Sequence, residues 1–280
     1  MTLSVVIVAL NEEANLGRTL ESVKPLVANG KGEIILVDSG STDRTVEIAK
    51  SFGARVFVEE WKGYAAQKNS AIDKAEGDWI LSLDADEEVE PELRSALETV
   101  MSKWNAIDLN ARNFQILHQI DDGQRGTNYY CNGFRVSRRN FFLGRWIKHG
   151  GFWPDQKLRF FRRGFGRFEG RTVHETAIVE GDTTDFGFGA LIHHSYPTLS
   201  DYIDHMNRYS SLGAEMIVAE GAVRFSFINI VVRPLATFIY NYFFRLGFLD
   251  GREGLLLHLY HAVYVSWKYA KAWELNRKQR

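Results

Sequence analysis

The first hundred residues alternate between short, unbroken apolar runs and longer segments with helical spacing. Residues 3–9 (LSVVIVA), 33–37 (EIILV), 54–58 and 79–83 (WILSL) are the apolar runs, and β-branched side chains are frequent in them. Uninterrupted runs of this length fit strands buried on both faces. A helix is expected to follow the acids at 11–13 and to continue through about residue 27. A second is expected after the loop at 38–43, capped around Ser41 or Thr42. A third is expected over 63–75, and a fourth over 91–103 with Pro91 in its first turn. Repeated βα units predict an α/β fold: a doubly wound, mostly parallel sheet with helices on both faces.

In such sheets ligands bind beyond the carboxyl ends of the strands. Three polar clusters fall there: Asn11-Glu12-Glu13, residues 38–43 and residues 84–88. Three acidic loops at one edge repel one another unless a cation or hydrogen-bond donors lie among them. Asp84-Ala85-Asp86 directly follows WILSL. Two carboxylates so spaced can serve one Mg²⁺ or Mn²⁺, with substrate phosphates and water completing the coordination. The alternative is an ordinary acidic turn. Asp38 can accept hydrogen bonds from a base or a ribose. The turn after the first run reads ALNEE, without a glycine fingerprint, which argues against NAD or SAM binding.

From about residue 113 to 195 the pattern loosens into short strand-like runs rich in Gly, Arg and aromatics; an extension of the sheet and site loops are expected there. From about residue 199 the chain is helical, with aromatics such as Phe243, Phe244, Tyr260, Tyr264, Trp267, Tyr269 and Trp273 beside basic residues. That mixture suits either a membrane interface or a packed helical core. Residues 225–244 are apolar but interrupted by Arg233 and Pro234, so they are expected to be buried or interfacial rather than membrane-spanning.

The net charge of -1 points to no partner and gives no reason to expect nucleic acid. Locally, eleven Arg or Lys between Arg135 and Arg171 face only Asp155 and Glu169. Arg159, Arg162 and Arg163 in KLRFFRR are candidates for holding anions. The single cysteine, Cys131, and the lack of a visible leader suit a reducing cytoplasm.

VVIVALNEE, ILVDSGSTDRT, GYAAQKNSAIDKA and WILSLDADEEV occur in that order, and together they resemble the inverting family 2 glycosyltransferases of the GT-A fold. The resemblance implies that Ala9, Asn11 and Glu13 line the nucleotide edge and that Asp38 meets the base, usually uracil. Ser41 would lie in the same loop. Lys68 and Asn69 would lie near the diphosphate, Asp84 at ribose or metal, and Asp86 on the metal, Mg²⁺ or Mn²⁺. Downstream, PDQKLRFFRR, GRTVHE, LIHHSYPTLSDYIDHMNRYS and GFLDGREGLLLHLYHAVY resemble bacterial lipopolysaccharide core β-glucosyltransferases. This implies a UDP-hexose donor and a glycolipid or glycan acceptor, an inner-core heptose first, with capsule acceptors or a non-catalytic binding protein as alternatives. Inverting transfer needs a base to take the proton of the acceptor hydroxyl. Glu175 is expected in that role, with Asp155 as its rival and His174 as helper or third metal ligand. The expected organisation is a GT-A catalytic domain over 1–198 (nucleotide-sugar binding 1–110, acceptor part 111–198) and a helical region over 199–280. The expected location is the cytoplasmic face of the inner membrane, with peripheral contact.

Overall fold

A computed structural model describes residues 1–105, 131–170, 176–221 and 223–278. Strands and helices alternate at the start: β1 (Leu3–Ala9), α1 (Leu16–Val27), β2 (Gly32–Asp38), α2 (Thr45–Ser51), β3 (Arg55–Val58), α3 (Tyr64–Asp73), β4 (Trp79–Asp84), β5 (Glu87–Val89) and α4 (Pro91–Asn105). The described remainder adds β6 (Cys131–Phe142), β7 (Arg145–Trp146), β8 (Asp155–Arg162), β9 (Gly166–Glu169), β10 (Thr176–Val179), β11 (Asp182–Asp185) and β12 (Leu191–Tyr196). It closes with α5 (Leu199–Ala219), α6 (Arg233–Ile239) and α7 (Gly251–Lys278). The described residues divide into two compact units, one over 1–105, 131–138, 156–170 and 176–193, the other over 139–155, 194–221 and 223–278.

The first unit is built on a sheet of order β3-β2-β1-β4-β8-β6-β12-β5. Its first four strands are parallel, and β8 then runs antiparallel to β4. Side chains of β1 alternate between the two faces. Leu3, Val5 and Ile7 join one core with Leu16 and Leu20 of α1 and Leu93 and Leu97 of α4. Val6 joins the other core with Ala71 and Ile72 of α3 and with Phe161. This is the α/β, doubly wound, mostly parallel arrangement read from the sequence, followed by helices at its C-terminal end.

Two expected boundaries move. Helix α1 begins at Leu16, not at the acids, because residues 11–13 are bonded to the neighbouring loop. Helix α2 begins at Thr45, beyond Ser41 and Thr42. Asp43, just ahead of it, closes a local turn onto the first helical residue, accepting from Thr45 N at 2.9 Å and Thr45 Oγ1 at 2.5 Å.

In the second unit, β7 folds back on the end of β6. Phe142, Ile147, Tyr202 and Leu257 form its buried centre. Helix α5 starts with a capping box, Thr198 and Asp201 bonding each other's backbone reciprocally. Lys271 of α7 ties α5 down through Asn207 O and Ser210 Oγ, both at 2.8 Å. No helix among the described residues is long and apolar enough to cross a membrane.

Candidate active site

Parallel register sets the site. Ala9, at the end of β1, pairs with Asp38 of β2, and Val8 pairs with Asp84 of β4. The two carboxylates therefore flank one strand end, at the edge where the three polar clusters were expected to converge.

The first two clusters are laced together. Asn11, in a left-handed conformation that suits this residue type (φ 55°), accepts from Thr42 N at 2.8 Å, and its own N–H donates to Ser41 Oγ at 2.8 Å. Ser41 Oγ donates in turn to Asp38 at 2.5 Å. Asp38 is buried and also accepts from Gly40 N and Ser41 N, at 2.9 and 2.8 Å. Glu13 accepts from Arg44 N at 3.1 Å, and Glu12 N donates to Thr45 Oγ1 at 2.8 Å. Donors supplied by the chain itself thus offset the repulsion between these loops. Asn69 is used structurally: its amide brackets the Phe168 backbone, donating to the carbonyl at 2.8 Å and accepting from the N–H at 2.9 Å.

The third cluster contains a buried ionic network. Asp84 meets Lys68 Nζ at 2.8 Å, is bonded by Arg159, and lies 3.9 Å from Arg138. The fully buried Glu87 accepts from Arg159 at 2.9 Å and Arg138 at 3.1 Å, and its second oxygen accepts from Asp84 N at 2.9 Å. Three cations hold two carboxylates. Burial raises the Asp84 carboxyl, but Arg159, Lys68 and Arg138 outweigh it and hold it well below the ordinary value.

This corrects the reading of KLRFFRR as an anion-binding face. Arg159 is buried against Asp84 and Glu87. Arg163 donates to Gly77 O at 2.7 Å, and Arg162 lies across the Phe165 ring at 5.0 Å. The three do not gather on one ligand.

Asp86 stands apart from that network. Its carboxylate lies 3.2 Å from His193 Nε2. Strand β12 pairs antiparallel with β5 and sets His193 opposite Glu87, the residue after Asp86. Burial raises the Asp86 carboxyl, and His193 more than offsets it, so it is lowered overall. Glu12 moves the other way: burial raises it first, the Asn15 hydrogen bond opposes, and Asp86, Asp43 and Asp84 push it further up. Asp86, Asp84, Asp43 and Glu12 thus lie close enough to act on one another. A carboxylate oxygen and an imidazole nitrogen fit a divalent ion such as Mn²⁺. Among the described residues no three His, Cys, Asp or Glu side chains gather as a ready cage, so substrate phosphate and water would complete the coordination.

His174 and Glu175 lie outside the described residues. Asp155 belongs to the second unit, where Asn140 Nδ2 donates to it at 3.1 Å. His193 and Arg138 were missing from the sequence-derived set, while Glu12 and Glu87 fell within its polar clusters but were given no role of their own. The signal for His193 was its place in the paired histidines of LIHHSY.

A family model, glycosyl transferase family 2, matches residues 4–164. The chain belongs to this family. It is therefore a glycosyltransferase, and the family match contains every element that builds this edge except β5's partner β12. The chain is 30% identical over 280 residues to the lipopolysaccharide core biosynthesis glycosyltransferase LpsC of Rhizobium meliloti, covering 98% of this chain and 93% of the relative. It is also 30% identical over 287 residues to an uncharacterised glycosyltransferase of Rickettsia typhi, covering 99% and 89%. Among solved structures, S. aureus TarS 1-349 in complex with UDP aligns over 100% of this chain and 92% of its own, at 14% identity and a TM-score of 0.46.

Proposed function

We propose that this family 2 enzyme transfers a hexose from a UDP-sugar, UDP-glucose first, to a lipopolysaccharide inner-core heptose or a similar membrane-borne envelope glycan, with inversion at the anomeric carbon. The observation that carries the reading is the Asp84-Ala85-Asp86 segment at the end of β4, with Asp84 neutralised internally and Asp86 left beside His193. The full-length likeness to LpsC supports the acceptor class.

Asp86 and His193 would hold the divalent ion. Such an ion, when bound, neutralises the charge that builds on the leaving diphosphate. The loop tied by Asp38, Ser41 and Asn11 would receive the uridine, and Asp38 keeps that loop rigid through its three hydrogen bonds. Lys68 meets Asp84 at 2.8 Å; Lys68 would lie near the diphosphate and Asp84 at the ribose or the metal. A carboxylate, Glu175 or Asp155, takes the proton of the acceptor hydroxyl as its oxygen bonds the anomeric carbon and UDP departs. The donor reaches the chain in the cytoplasm and the acceptor at the cytoplasmic membrane face.

The test is a transfer assay with UDP-glucose, UDP-galactose and GDP-mannose against heptose-terminated core lipid, with the anomeric configuration of the product read by NMR. The reading expects β-glucoside product dependent on Mn²⁺ or Mg²⁺. Tight UDP binding without hydrolysis or transfer would instead favour a non-catalytic binding protein.

A further inference from the structure

Residues 221–249 contain Arg224, Arg233 and Arg245 and no Asp or Glu. Most of this stretch is helical: a π-helical turn at Ile228–Val232, then α6, then a second π-helical turn at Tyr240–Phe244. One side of the run packs on α7, where Ser266 Oγ donates to Ile230 O at 2.8 Å and Arg233 bonds the Tyr269 hydroxyl.

The apolar stripe is not on that side. Ile228, Val231, Val232, Leu235 and Ile239 recur at helical spacing and are all exposed. In a water-facing helix such a stripe marks the face turned to the core. Here it faces out. Phe244 extends it at 75% exposure, with Phe225, Phe227, Tyr240, Phe243, Phe248 and Leu249 also exposed. Leu255 and Leu259, one turn apart on α7, are exposed as well. Soluble monomers rarely leave an apolar surface of this extent uncovered.

Charge identifies what covers it. Arg224, Arg233, Arg245, Arg252 and Arg277 are exposed in the same unit. Of the acids that flank the stretch, Glu220 stands exposed just before it, while Asp250 accepts from Lys148 N and His149 N, Glu253 meets Arg145, and Glu274 meets Lys278. Arg224 and Arg277 also line a cavity of about 390 Å³ with Phe225, Trp273 and Asn276. Two guanidinium groups on an aromatic floor suit a phosphate carried on a lipid. Exposed aromatics and aliphatics with basic residues at their edge are the composition of a helix lying in the plane of an anionic bilayer.

We propose that residues 225–249, with Leu255 and Leu259, form a membrane-insertion surface, and that the Arg224–Arg277 cavity takes the headgroup phosphate of an anionic phospholipid. This rests on neither the donor nor the acceptor assignment, although a surface of this kind would bring a glycosyltransferase to a lipid-borne acceptor.

The test is flotation of the full chain with vesicles of phosphatidylglycerol in phosphatidylcholine, and of phosphatidylcholine alone. The wild type should float with the first and lose binding as salt rises. A triple variant, Leu235→Ser, Ile239→Ser and Phe244→Ser, should bind more than tenfold more weakly while keeping the wild-type melting temperature and UDP affinity. Arg224→Gln with Arg277→Gln should erase the preference for phosphatidylglycerol. A wild type that stays off anionic vesicles at low salt, while UDP binding is intact, overturns the proposal and leaves the enzymatic reading standing. So does a triple variant that floats like the wild type. A dimer of the wild type that the triple variant converts to monomer, without vesicle binding, reassigns the surface to self-association.

Discussion

The Asp86 carboxylate and His193 Nε2 meet at 3.2 Å, brought together by the pairing of β5 with β12. Two residues earlier, Asp84 is surrounded by Lys68, Arg159 and Arg138. One short acidic segment thus holds two carboxylates in different settings. Asp84 is compensated by the chain's own cations, while Asp86 meets an imidazole, a group that can itself serve as a metal ligand when neutral.

The Arg159 pairing has a stability consequence. Replacing Arg159 by Met takes from the buried Glu87 and Asp84 one of the two guanidinium groups they share, leaving Arg138 with both and Lys68 with Asp84. Breaking a buried ion pair from one side costs about 3–5 kcal/mol. For a chain of this size the melting temperature should fall by roughly 10 °C. Adding Glu87→Leu should recover part of that loss, because the uncompensated carboxylate is gone. Calorimetric melting of the two variants checks this, and an Arg159→Met protein melting with the wild type would contradict the network.

Asp38→Ala removes the acceptor of three hydrogen bonds that hold the loop after β2. Each is worth about 1 kcal/mol net. The expected result is a stability loss of about 2–3 kcal/mol together with at least tenfold weaker UDP binding. Urea unfolding and calorimetric titration measure the two effects separately. A stability loss with unchanged UDP affinity would remove Asp38 from the nucleotide site.

The beginning of the fold was legible because buried parallel strands leave unbroken apolar runs, and LSVVIVA, EIILV and WILSL are such runs. The site edge followed from those strands, since Asp38 and Asp84 sit where β2 and β4 end. What escaped depends on partners far along the chain. His193 reaches Asp86 only through an antiparallel pairing that local pattern does not encode. Arg159 reads as a ligand-facing cation and Glu87 as one more acid of its cluster, because a sequence does not show that opposite charges neutralise one another in the interior. For the apolar stripe of 228–239 the sequence left burial and an interface both open, since its periodicity is that of a core-facing helix; its exposure is what the structure adds.

The second unit carries its own pH dependence. His258 is buried, with neither ring nitrogen hydrogen-bonded. The rings of Phe152 and Tyr242 pack on it, and Gly247 leaves the room it needs, since a Cβ there would come within 2.3 Å of the imidazole. Burial, with a smaller push from His261 and against the opposing pull of Asp250, takes its pKa down to about 4. The unfolded chain then binds the extra proton first. This contribution to stability is complete above about pH 6.5 and is lost as pH falls toward about 4, by at most about 3 kcal/mol. Urea unfolding at pH 7, 5.5 and 4.5 should show the loss, and a His258→Gln protein should show a shallower slope. Equal slopes would exclude His258 as the source.

The general base is decided by two neutral replacements. Glu175→Gln should keep UDP-sugar affinity and lower kcat by at least about a hundredfold, and Asp155→Asn should do little. The reverse pattern in single-turnover transfer would assign the base to Asp155.

The central claim is that Asp86 and His193 hold a divalent ion against the diphosphate of a UDP-sugar. Calorimetric titration of UDP-glucose with and without Mn²⁺ tests it most directly, on the wild type, Asp86→Ala and His193→Ala. The account predicts that Mn²⁺ strengthens wild-type binding by at least about tenfold, or about 1.4 kcal/mol, and that both variants lose this gain while keeping the metal-free affinity. Binding that Mn²⁺ leaves unchanged in the wild type, or a gain that survives in Asp86→Ala, would contradict it.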